Sequence, residues 1–126
     1  MKTVIIVDAD LGFAFWLGHV LDQAGYYALP ALSAGGASRL LTELGLTVDL
    51  IVINAEVGDA KSFIADSRLA NPNLRVIAVL ENPEASLPAF LQANLIEHKP
   101  AVIDDAARRT WVDTVQLVLS TRTEVG

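Results

Sequence analysis

Short, unbroken apolar runs alternate with longer stretches in which apolar residues recur every three to four positions. Val4 to Val7 is a β-branched run with no polar alternation, the pattern of a parallel strand covered on both faces. From Leu11 the spacing changes: Phe13, Trp16, Leu17, Val20, Leu21 and Ala24 form a helical stripe, which Gly25 is suited to end. Tyr26 to Leu29 reads as a second strand, followed by a helix that Ser33 caps and that turns Ala37, Leu40 and Leu41 inward. Leu50 to Ile53 is a third buried run, closed by Asn54. Ala60 to Leu69 predicts a helix anchored by Phe63, Ile64 and Leu69, and Val76 to Leu80 a fourth strand. A shorter helix is expected around Leu87 to Ala93, with Pro88 in its first turn, and a fifth strand over Leu95 to His98. Asp105 to Thr121 predicts the last helix, with Trp111, Val115, Val118 and Leu119 on its buried stripe. Asp104 and Asp105 suit its N-terminal end.

Five strand–helix units in succession predict an α/β fold. The expected form is a doubly wound five-stranded parallel sheet flanked by five helices, a flavodoxin-like (βα)5 arrangement. With 126 residues the chain is expected to form a single domain over 1–126, since two separate cores would each be small. Charged residues make up 19% of it, below the roughly 25% of ordinary soluble domains. Buried elements rather than disorder account for that.

Net charge narrows the classes of partner. At −6, with its nine basic residues scattered and only Arg108 and Arg109 adjacent, the chain has no basic patch to neutralise phosphates. Nucleic-acid binding is therefore not expected. Cysteine is absent, which removes disulfides, thiolate metal sites and thiol nucleophiles together. Asp8 and Asp10 end the first apolar run too early for a signal peptide, and no run approaches the ~18 apolar residues of a membrane span. A cytoplasmic, non-membrane protein is expected.

Open parallel sheets place their sites beyond the carboxyl ends of the strands. Those positions hold Asp8 and Asp10 after strand one, Asn54 and Glu56 after strand three, Leu80 and Glu81 after strand four, and Lys99-Pro100 after strand five. Carboxylates opposite a strand-end lysine are the raw material of a magnesium and phosphoryl site, because magnesium takes oxygen ligands and lysine neutralises phosphoryl oxygens. Gly35-Gly36 lacks the spacing of a phosphate-binding loop, and His19 and His98 have no acids or cysteines arranged around them as ligands. No metal site is read from them.

The segments Val4-Ile5-Ile6-Val7-Asp8-Ala9-Asp10, Asp49-Leu50-Ile51-Val52-Ile53-Asn54 and His98-Lys99-Pro100 resemble the receiver domains of two-component response regulators, the CheY-like superfamily. So does the Ala24-Gly25-Tyr26 helix exit, followed by Ala31 and Ala37 around strand two. The resemblance runs in order over almost the whole chain. It implies a phosphoacceptor at Asn54, a pair of metal-binding acids at Asp8 and Ala9, a hydroxyl residue at Leu80, an aromatic switch residue at Ile96 and a lysine at Lys99. Beyond Asp8, Lys99 alone keeps the expected residue type. The resemblance also implies a cis peptide at Lys99-Pro100. Between Leu80 and Lys99 the chain is short by roughly one helical turn, which implies a reduced fourth helix.

These departures have direct chemical consequences. An aspartate carboxylate attacks phosphorus and becomes an acyl phosphate, whereas a neutral amide oxygen is a poor nucleophile. Ala9 removes much of a metal's negative first shell, and Leu80 offers no hydrogen bond to a phosphoryl oxygen. No catalytic residue, metal or cofactor is expected, and magnesium is expected to bind weakly if at all. Asp8, Asp10 and Glu56 remain as an acidic pocket beside Lys99. Asp8 is expected to pair with Lys99 in preference to holding a cation, and Asp10 to cap the first helix. Glu56 has the alternative reading of a solvated loop acid, and Asn54 that of a strand-end turn residue.

The expected function is an atypical receiver domain of a two-component or phosphorelay-type system. It would act through protein–protein contacts independent of phosphorylation and would not be an enzyme. The expected partner is a signalling protein, a second copy of the chain included. Leu11, Ala14 and Phe15 on the first helix form a candidate apolar partner surface. The alternative is a small-ligand or cation sensor that uses the strand-end cleft of the same fold.

Overall fold

The computed structural model of the chain describes residues 1–81 and 92–120. Its elements run β1 (Thr3–Val7), α1 (Leu11–Gln23), β2 (Tyr27–Ala31), α2 (Ala34–Leu44), β3 (Leu50–Asn54), α3 (Ala60–Ala70), β4 (Arg75–Leu80), β5 (Leu95–His98) and α4 (Asp105–Ser120). The five strands form one parallel sheet in the order β2-β1-β3-β4-β5. Four helices stand among the described residues. The helix expected around Leu87 to Ala93 falls largely outside them.

The unbroken apolar runs follow from the layers. Ile5, Val7, Ile51, Ile53, Val76 and Ala78 point to one face of the sheet, where Ala34 and Ala37 of α2 and Ala60, Phe63 and Ile64 of α3 cover them. Val4, Ile6, Leu50, Val52, Ile77 and Val79 point to the other, under Phe13, Leu17 and Leu21 of α1 and Trp111, Val115 and Val118 of α4. With both faces buried, the positions between the ends of the central strands have to be apolar. β5 is an edge strand and alternates instead, leaving Ile96 and His98 exposed.

Three helical positions differ from the sequence reading. Ala14 is fully buried and does not belong to the exposed patch expected of it, whereas Ala24 is exposed. The cause is a close approach of α1 to the sheet edge. One turn beyond Ala14, a side-chain carbon on Gly18 would lie 3.5 Å from the Pro30 ring, so the small residues face β2. Leu69 is 83% exposed and anchors nothing, because the buried stripe of α3 is Ala60, Phe63, Ile64 and Ser67. At about 100° per residue Leu69 stands opposite Ala60.

Local hydrogen bonds set the element ends. Gly25, at φ 97°, donates to the Asp22 carbonyl at 3.1 Å and Tyr26 to that of Leu21 at 3.0 Å, the two bonds of a Schellman closure. Tyr26 thereby belongs to the helix end, and β2 starts one residue later than expected. It also runs on through Pro30. Tyr27 donates to the carbonyl of Lys2, the residue just before β1, so by alternation position 30 faces away from the ladder, where a missing N–H costs nothing. Ser33 caps α2 through a 3.0 Å bond from the Gly36 amide, as the sequence predicts. The peptide bonds of the described residues are all trans, so the cis bond expected at Lys99-Pro100 is absent.

Candidate functional site at the strand ends

The strand order reverses direction beside β1, which opens a crevice at the carboxyl ends of β1 and β3. Asp8 emerges there from β1, Asn54 from β3, Glu81 from β4 and Lys99 from β5. Backbone bonds fix three of these exits: Asp8 N–H to the Ala31 carbonyl at 3.0 Å, Ala55 N–H to Val79 at 3.1 Å and Lys99 N–H to Leu80 at 3.2 Å.

Lys99 is the hub. Its ammonium lies 3.1 Å from each carboxylate oxygen of Asp8, 3.4 Å from Asp10 Oδ2 and 2.7 Å from Glu81 Oε1. Below it lies the Phe13 ring, whose centroid is 5.1 Å away, within cation–π range. Asn54 completes the cluster. Its amide nitrogen donates to Asp8 Oδ2 at 3.4 Å and to Glu81 Oε1 at 3.2 Å. Its carbonyl accepts from the Glu56 backbone N–H at 2.9 Å, and that bond fixes which way the amide faces. Asp8 Oδ1 also accepts from the Asp10 N–H at 2.9 Å. Three ammonium hydrogens and two amide hydrogens thus meet three carboxylates, and the set closes on itself. Among the described residues no buried side-chain nitrogen or oxygen lacks a partner.

The charges respond to this arrangement. Asp10 is held below the ordinary carboxylate value, first by the Phe13 N–H it accepts as helix cap and also by Lys99, against the opposing effect of burial. Glu81 is likewise held down, chiefly by its hydrogen bond from Lys99. Burial pulls the Lys99 ammonium downward, but its bonds to Glu81 and Asp8 outweigh that and raise it overall.

The sequence-predicted residues divide. Asp8, Asp10, Asn54 and Lys99 come together. Glu56 brings only its backbone N–H, and its exposed carboxylate makes no contact within the described cluster. Glu81 takes the place expected of it. Sequence reasoning placed Glu81 at a strand end but gave it no role; the available signal was its position immediately after β4 and across from Lys99. Ala9 is exposed, Leu80 is buried at 6% exposure, and Ile96 is 45% exposed on the edge strand. Leu11 and Phe15 are each 55% exposed on α1, without Ala14 between them. Of the other expected contacts, Asp104 caps α4 through a 2.9 Å bond from the Ala107 amide.

No protein-family model matches the chain, and no curated protein matches it. Solved structures do match. A response regulator receiver protein from Burkholderia phymatum superposes with a TM-score of 0.74 at 18% identity, covering 99% of this chain and 100% of its own. A CheY-like receiver domain protein from Methanospirillum hungatei gives 0.73 at 18% identity, covering 94% of each chain. A response regulator from Burkholderia pseudomallei, solved with a phosphorylated aspartic acid, a calcium ion and citrate, gives 0.66 at 22% identity over 93% of this chain and 72% of that one. These likenesses define the fold class: the chain has the flavodoxin-like fold of response regulator receiver domains.

Proposed function

We propose that the protein is an atypical receiver-type domain of a two-component or phosphorelay-type pathway. It works by contact with a protein partner and does so without phosphorylation or catalysis. The observation that carries this reading is the orientation of Asn54. At the position where the resemblance places the phosphoacceptor, the chain presents amide hydrogens already bonded to Asp8 and Glu81, and its only oxygen is turned to the Glu56 N–H. Asn54 therefore turns no nucleophilic oxygen toward the crevice. Exposed Leu11 and Phe15 support a partner surface on α1, and a second copy of the chain is one candidate occupant. No helix among the described residues is long and apolar enough to cross a membrane, which agrees with a cytoplasmic signalling role.

The alternative of a ligand sensor in the strand-end crevice lacks comparable support. Two grooves of about 310 and 230 Å³ lie along α2 and α3 around Ser38, Phe63 and Asp66, and neither is lined by Asp8, Asn54, Glu81 or Lys99.

Incubation with acetyl phosphate and magnesium tests the reading. Intact-mass measurement should show no added phosphoryl group, and light scattering should show the same association state with and without the donor. A phosphorylated peptide containing Asn54 would sink the proposal. The Asn54→Asp variant should also be labelled poorly, because Ala9 still withholds a metal ligand.

A further inference from the structure

A receiver-type site implies a bound divalent cation, and the residues present do not fit one. Magnesium requires about six oxygen ligands at about 2.0–2.1 Å in near-octahedral array. Asp8, 1% exposed, has both oxygens engaged: Oδ1 by the Asp10 N–H and Lys99, Oδ2 by Asn54 Nδ2 and Lys99. Asn54 turns hydrogens, not oxygen, toward the acids. Ala9 has no side-chain oxygen to contribute. A cation entering the cluster would have to displace an ammonium shared by three carboxylates. It would also have to rotate the Asn54 amide, which would set Nδ2 against the Glu56 N–H, donor against donor.

We infer that Lys99 is the built-in cation of this cluster. Its ammonium, carried on the end of β5 and seated over Phe13, already engages the three carboxylates that a metal ion would need, and the protein is indifferent to magnesium as a result. The inference rests on reading the strand ends as a receiver-type site. It adds how that site is held: a covalently tethered charge competes intramolecularly with any free cation and never dissociates. The surface the strand-end loops present is then set constitutively, and changes in divalent cation do not alter it.

Divalent-cation binding by the wild-type protein and by Lys99→Met tests this. Wild type should show no saturable manganese binding and no rise in Tm with magnesium or manganese. Lys99→Met, with the charge removed and the length kept, should gain saturable manganese binding and a cation-dependent rise in Tm, and both should vanish when Asp8→Asn is added. Saturable binding by wild type, or a folded Lys99→Met that binds nothing, overturns the inference. A second measurement needs only the wild type. Under native conditions an acylating reagent should modify Lys99 far more slowly than exposed Lys2 and Lys61, because the Lys99 side chain is 13% exposed and its ammonium is fully engaged. Magnesium should leave that rate unchanged; a faster rate with magnesium would show the ammonium displaced and overturn the inference. Phosphorylation of Asn54 would defeat the proposed function without bearing on any of these readouts, so the two failures are distinguishable.

Discussion

An amide and a carboxylate have nearly the same shape, so what Asn54 changes at the end of β3 is the kind of atom it presents. Two donors face Asp8 and Glu81 where a carboxylate would face them with like charge. The acids can therefore lie close together around Lys99. Glu81 and Asp10 titrate below their ordinary values of 4.5 and 3.8, so the stability they contribute is present above those values and lost as pH falls through the folded-state ones. Lys99 titrates above 10.5, so its contribution is complete below that value and lost as pH rises through the folded-state one. The stability difference between wild type and Lys99→Met should consequently be flat from about pH 5 to about pH 10 and shrink on both sides. Urea unfolding of the two proteins across that range measures it; a difference that stays constant into strong acid would show that the acids do not titrate through Lys99. At this scale the site was half legible. Asp8, Asp10 and Lys99 followed from strand ends alone, because a strand terminus fixes where a short side chain starts. Glu56 and Glu81 were not separable that way. Both are long side chains on exposed loops, and which one reaches the lysine depends on loop path.

The strands were more legible than the helices, for a physical reason. A strand buried on both faces has one solution, and β1, β3 and β4 show it as uninterrupted apolar runs. A helix buries an arc whose width depends on its neighbours. α1 packs against β1, β2 and α4 at once, and its buried arc therefore takes in Ala14 and Gly18, small residues that carry little hydrophobic signal. α3 shows the converse, with polar Ser67 buried and apolar Leu69 exposed. The expected consequences are opposite in size. Ala14→Leu should overpack the α1–β2 contact and destabilise by about 1–3 kcal/mol, whereas Leu69→Ala should stay within about 0.5 kcal/mol of the parent. Denaturant midpoints of the two variants measure the contrast. Equal effects would mean that α1 does not lie as close to β2 as the Gly18–Pro30 approach indicates.

Across the whole molecule the first and last helices are brought together on one face of the sheet, and the strand-end cluster rests on that contact. Trp111 of α4 meets Phe13 of α1 edge-on at 5.7 Å, and the Phe13 ring in turn lies beneath the Lys99 ammonium. Phe13 also supplies the backbone N–H that Asp10 accepts as helix cap. One residue thus touches the core, the cap and the cluster's hub. Nothing in the periodicity of either helix reveals this link, because it depends on two segments almost a hundred positions apart meeting over the sheet. Trp111→Phe leaves part of a fully buried site unfilled, which should destabilise by about 1–3 kcal/mol while leaving the chain folded. If Phe13 transmits that loosening, Lys99 should be acylated faster in the variant than in wild type under native conditions, while Lys2 and Lys61 keep their rates. An unchanged Lys99 rate in a folded but destabilised variant would confine the effect to the core. The cluster would then be held by its own hydrogen bonds, without help from the packing below it.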